Sequence, residues 1–140
     1  QTADWETYRN DEYGFEMQYP SQYTPREFDN TVDFLKNNDD VALGVIIKIK
    51  KLITGESCGS KQYVSELLVA GDKVTFGSVA LKNIEQEVYQ VKSVYGTLPA
   101  NLTTYIPTKD CITSRKMIAI SATSNINEYN QLLSTFKLTK

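Results

Sequence analysis

The chain has 140 residues and a mass of 15.8 kDa, 41% of them hydrophobic and 23% charged, which is enough apolar material for one globular core. Fifteen basic against seventeen acidic side chains leave a net charge of −2, so no general attraction to nucleic acid is expected. Histidine is absent, which removes Ser-His and Cys-His catalysis and every histidine-ligated metal.

The opening residues predict a β-hairpin. Trp5, Thr7 and Arg9 alternate with Glu6 and Tyr8, and Asn10-Asp11-Glu12 has turn chemistry. Phe15, Met17 and Tyr19 then point to one face, with Glu16 and Gln18 on the other, and Pro20 ends the strand because it brings no N–H to a ladder. A second hairpin is expected from Val32-Asp33-Phe34-Leu35, through the turn 36–40, into a return strand over 41–51. In that strand Val45, Ile47 and Ile49 form a packed face, and Ile46, Lys48 and Lys50 a half-wet one.

Ser60 is a fair cap for a helix over 60–69, with Tyr63, Val64, Leu67 and Leu68 as its apolar stripe and Gly71 placed to end it. Strands are then expected over 73–76, 79–84, 87–95, 102–107 and 116–123. The last is the most apolar, as suits a central strand covered on both faces. Asn125 and Glu128 resemble a capping box opening a final helix, whose buried side is Ile126, Tyr129, Leu132, Leu133 and Phe136. Two helices and about eight closely spaced strands make an α+β domain, an antiparallel sheet with helices packed on it. With no repeat, low-complexity segment or linker, residues 1–140 read as a single domain.

The two cysteines, Cys58 and Cys111, lie far apart in loop-like surroundings and belong to no C-x-x-C pair, so redox-motif and zinc-ribbon readings are weak. One reading is a structural disulfide in an exported protein, where closing such a loop would contribute roughly 4 kcal/mol; the other is two unpaired thiols. The chain starts at Gln1 without an initiator methionine, which suits a processed or trimmed domain. The longest apolar run, 41–47, has seven residues with a glycine inside, against roughly 20 needed to cross a bilayer. Residues 1–40 hold ten acids and three bases, a balance of −7, and the remainder seven acids and twelve bases, +5. Such halves can lie face to face and cancel, or offer an acidic surface to a cation or a basic partner.

The opening Trp5-x-x-Tyr8-x-Asn10-x-x-Tyr13-Gly14-Phe15-x-Met17-x-Tyr19-Pro20 resembles the start of PsbP-like domains, and the closing residues from Tyr129 to Leu138 resemble their C-terminal helix and ending. That family includes the extrinsic photosystem II subunit and many bacterial exported proteins and lipoproteins. The resemblance spans about 20 residues at the front and 12 at the back, while the middle agrees in element order. It implies an antiparallel sheet sandwiched between helices, opening with a hairpin and closing with a helix, in an extracytoplasmic domain. It carries no metal ligands across, and the front motif has a complete structural explanation as a buried hairpin.

No catalytic constellation stands out. Ser57, Ser60 and Lys61 cluster, but Ser60 is better used as a helix cap. Glu85 and Glu87 share one side of a strand, which usually means a solvated face. The oxygen-rich turn 37–40, with Asp39, Asp40 and help from Asp33, is a weak Ca²⁺ candidate, because it lacks the spacing and terminal glutamate of an EF-hand loop. Lys48, Lys50 and Lys51 with Lys92 could form a basic strip, yet strand lysines commonly guard against aggregation, and no phosphate-binding glycine motif occurs. Of nine tyrosines, Tyr23, Tyr95 and Tyr105, near turns or proline, are the interface candidates. The expectation is a non-enzymatic extracytoplasmic domain, without a cofactor, that docks to another protein at a membrane surface. The alternative is an extracytoplasmic solute- or cation-binding protein.

Overall fold

A computed structural model describes residues 4–36, 42–52, 58, 73–79, 81, 83–84, 88–94, 101–122 and 126–139. The hairpin at the front forms as the alternation requires. Strand β1 (Trp5–Asn10) pairs antiparallel with β2 (Phe15–Pro20), Tyr8 opposite Met17. Gly14 takes a φ of 76°, open to glycine at little steric cost, and its N–H closes the turn on the Asn10 carbonyl at 2.9 Å. Phe15, Met17 and Tyr19 are buried, and so is Tyr8, so the inward face of β1 is the one that carries Tyr8.

The next strand, β3 (Tyr23–Phe28), escapes a reading by hydrophobic alternation, because it contains Pro25 and the charged pair Arg26-Glu27. It pairs with β4 (Thr31–Lys36) across the two-residue turn Asp29-Asn30, with Asp29 at φ 52°. Strand β5 (Ala42–Lys51) continues the sheet. The chain then adds β6 (Lys73–Val79), β7 (Val88–Val94), β8 (Asn101–Pro107), the one-turn helix α1 (Cys111–Ser114) and β9 (Lys116–Ala122). It finishes with helix α2 (Ile126–Thr135) and the short strand β10 (Lys137–Leu138). The order in the large sheet is β3-β4-β5-β9-β8-β7-β6, antiparallel throughout; a small sheet has the order β1-β2-β10. Pro25 is tolerated because β3 lies at an edge.

Three expectations change. Residues 73–79 form one unbroken strand where two segments split at Gly77 are expected, because Gly77 is held opposite Gln90. Ile84 lies outside any strand, its N–H bonded to Leu81 at 3.2 Å. The chain does not close on its helix: Leu138 returns to pair with Phe15. The helix expected over 60–69 lies outside the described residues.

The core sits between the two sheets and α2. Phe34 of β4 packs against Tyr8 and Tyr19, with ring centroids 6.3 and 5.2 Å away, and Phe136 stacks on Phe15 at 5.4 Å. Buried Tyr129 on α2 donates its hydroxyl hydrogen to the Ile120 carbonyl at 3.0 Å. Because a phenol has one hydrogen to give, Thr104 supplies the bond between its own hydroxyl and that of Tyr129, and Gln90 in turn donates to Thr104 at 3.0 Å. This chain of bonds fixes the helix over β8 and β9. Strand β9 lies between β5 and β8 with Met117, Ile118, Ala119 and Ile120 all buried, as a doubly covered central strand requires.

On the outer face a second, smaller core forms from Leu52, Tyr105, Cys111, Met117 and Ala119. Cys58 and Cys111 are joined by a disulfide, with Cα atoms 6.1 Å apart. It pins the 108–115 loop, where Thr108 is buried and donates to Asp110 at 2.9 Å. Among the described residues no helix is long and apolar enough to cross a membrane.

Candidate docking surface

Across the outer face of the large sheet, register sets two rows of side chains near the β3 edge. Phe28, Thr31 and Lys48 are mutually opposite on β3, β4 and β5, and so are Arg26, Asp33 and Ile46. The rows are two residues apart on each strand and therefore share one face. Phe28 is 59% exposed and Ile46 40%, while Arg26 and Lys48 are exposed beside them. Farther along this face the small core around Cys111 covers β8 and β9. Among the described residues the face is thus covered around Cys111 and open near the β3 edge, with an aromatic, an aliphatic and an arginine among the open residues.

The turn Asp29-Asn30 divides that open face from a cleft of about 60 Å³ on the inner side. The floor of the cleft is apolar, made by Phe15, Val32, Ile47 and Ile49, and its rim carries Glu12, Glu27 and Asp29. Side-chain bonds hold the rim in place. The Tyr8 hydroxyl donates to Glu27 and accepts from the Asn10 amide at 3.1 Å, the Asn10 side chain accepts the Tyr13 N–H at 3.0 Å, and the Tyr13 hydroxyl donates to Asn30 at 3.1 Å. Burial, reinforced by Glu27, raises the Tyr8 phenol well above its ordinary value, and burial with Glu12 raises that of Tyr13. Both stay neutral donors at physiological pH. The Lys116 ammonium lies 5.0 Å from the centre of the Tyr13 ring.

The candidate residues fall in different places. Asp33 is on β4, half-buried, and its carboxylate accepts the Phe34 N–H at 2.8 Å. That bond makes Asp33 part of the scaffold, because between Asp33 and Leu35 the register with β5 slips by two residues, with Gly44 at φ 87° in the bulge. Asp39 and Asp40 lie outside the described residues, as does Tyr95, and among the described residues no group of three acidic or sulfur side chains is placed to hold a metal. Tyr23 packs against the main core. Tyr105 is a correction: at 6% exposure it belongs to the small outer core, covered by Leu52 and Cys111 rather than presented to a partner. Lys92 is on β7, separated from the lysines of β5 by β9 and β8, so the four lysines form no continuous strip. Ser57, Ser60, Lys61, Glu85 and Glu87 lie outside the described residues. Phe28 and the acidic rim are absent from the sequence-based candidates. The signal that could have found Phe28 is an aromatic directly before Asp-Asn turn chemistry.

Compared with models of known protein families the chain matches none, and no curated protein matches it by sequence. Solved structures do match. The solution structure of cyanobacterial PsbP from Synechocystis sp. PCC 6803 superposes with a TM-score of 0.60 at 10% identity, over 97% of this chain and 93% of that one. A protein of Bacteroides thetaiotaomicron gives 0.56 at 17% identity, over 98% of this chain and 49% of that one. The Saccharomyces cerevisiae Ran-binding protein Mog1p gives 0.53 at 8% identity, over 97% and 96%. At these identities the likeness is one of fold, and the fold is PsbP-like.

Proposed function

We propose that the chain is a non-enzymatic, extracytoplasmic domain that docks to another protein at a membrane surface. The observation that carries this reading is the outer sheet face near the β3 edge, where Phe28 and Ile46 stand exposed beside Arg26 and Lys48. Aromatic residues and arginine are enriched at protein interfaces, and Phe28 and Arg26 stand exposed on this one face. The Cys58–Cys111 disulfide supports an oxidising compartment. A neighbour of this fold is named for binding Ran, which supports protein recognition as a use of the architecture.

The alternative, a solute- or cation-binding domain, needs a concave site with convergent polar groups. A thermal-shift screen against divalent cations, anions and small metabolites, with and without chelator, separates the two. A specific ligand at 100 times its dissociation constant adds about 2.7 kcal/mol of stability. Docking as the function predicts no such shift, and a reproducible rise with one small solute would replace it with the alternative.

A further inference from the structure

We propose that the outer sheet face near the β3 edge receives an acidic segment of the protein partner, with a carboxylate seated on Arg26 and an apolar side chain on Phe28. This rests on the docking reading and names the chemistry of what docks.

The charge balance of the face itself points that way. Its two rows carry two cations, Arg26 and Lys48, and one acid, Asp33. Asp33 stands directly opposite Arg26, where a cross-strand ion pair would ordinarily form. Its carboxylate is instead engaged with the Phe34 N–H at 2.8 Å. Among the described residues, the side chains of Arg26 and Lys48 take part in no ion pair or hydrogen bond. An incoming carboxylate supplies the guanidinium with what Asp33 withholds. Lysines on an edge strand guard against strand-to-strand pairing, but β5 lies between β4 and β9, so Lys48 guards no edge.

Spacing selects the form of the ligand. Arg26 and Phe28 are two residues apart on β3, so their side chains stand about 7 Å apart on one face. The same two-residue step in an extended partner segment sets a carboxylate over the guanidinium and an apolar residue over the ring. A guanidinium holds a carboxylate through two parallel hydrogen bonds, and arginine and aromatic side chains are enriched among the residues that dominate binding. Lys48 lies in the row of Phe28, about 10 Å away across two strand spacings, and draws further negative charge onto the face.

The test is an NMR titration of the whole chain with a capped Glu-Ser-Leu-Ser-Glu peptide, its Gln-Ser-Leu-Ser-Gln and Lys-Ser-Leu-Ser-Lys counterparts, and phosphatidylglycerol vesicles. The acidic peptide should move the Arg26 Nε–H and the Phe28 and Ile46 amide signals at millimolar concentration. The glutamine peptide should do so more weakly, and the lysine peptide should not. Arg26→Gln and Lys48→Gln, both at exposed positions, should each weaken binding about two- to fivefold, the scale of exposed ion pairs, and more when combined. Binding should also fade as sodium chloride rises from about 0.01 to about 1 M, over which the Debye length falls from about 30 to about 3 Å. No response at these signals, an equal response to the glutamine peptide, or binding unchanged in the double variant would each overturn the proposal. A response to the vesicles alone would overturn it in favour of a lipid surface. Concentration-dependent broadening of the same signals without peptide would overturn it in favour of a second copy of the chain. Partner capture through position 28 with undiminished yield in the double variant would overturn it too, while leaving the docking reading intact.

Discussion

The Asp33 carboxylate accepts the N–H of its own neighbour, Phe34, at 2.8 Å, at the point where β4 and β5 slip by two residues. The bond caps a backbone donor where the ladder is interrupted, while the Phe34 ring is driven into the core against Tyr8 and Tyr19. A residue that as a sequence suggests a cation ligand is here committed to the backbone.

Asp33→Ala should therefore destabilise the fold by about 1–2 kcal/mol, the range for leaving a part-buried donor unsatisfied. Asp33→Asn keeps an acceptor oxygen and should retain most of the stability. Urea unfolding of the two variants checks this. Equal losses in both would show that the charge, rather than the hydrogen bond, is what matters.

Burial pushes the Tyr129 phenol up from 10.0 to about 12. The folded state holds that proton more tightly than the unfolded chain, so its contribution is complete below pH 10 and is lost as pH rises through about 12. The gap of roughly two units corresponds to about 3 kcal/mol. Stability measured by denaturant should fall between pH 10 and 12, and Tyr129→Phe should make that fall shallower. The same variant should cost about 1–3 kcal/mol at neutral pH, because Ile120 loses its donor.

The disulfide closes a separation of 53 residues. In the chain-entropy treatment that is worth about 4 kcal/mol. Cys58→Ser with Cys111→Ser should lower the unfolding midpoint accordingly. Hydrogen exchange should quicken first at the Leu52 and Arg115 amides, whose bonds to Arg115 and Cys111 fasten the pinned loop to β5. A variant pair as stable as the parent would remove the structural role given to the bridge.

Much of this architecture is legible as hydrophobic period. Phe15-Met17-Tyr19, Val45-Ile47-Ile49 and the stripe from Tyr129 to Phe136 each sit on the buried face that their spacing indicates. Ile46 falls on the half-wet face for the same reason. Strand β3 is not legible, since an edge strand has to satisfy only one neighbour and can therefore carry Pro25 and two adjacent charges. Tyr105 has the local look of a surface residue beside Pro107, and only the approach of Leu52 and Cys111 from distant segments buries it. The cleft joins turns near residues 12 and 29, and no local pattern encodes such a meeting. Its residues read in sequence as two unrelated polar turns.

The claim that the outer sheet face near the β3 edge is a docking surface is tested most directly by site-specific photo-crosslinking. A photoreactive amino acid replaces Phe28 or Ile46, and, as a control, exposed Asn130 on α2. The account predicts a discrete cross-linked protein of the same mass from positions 28 and 46 and none from position 130, with all three variants as stable as the parent. Cross-linking from position 130 alone, or from none of the three under conditions where the chain is assembled with its partner, would contradict it.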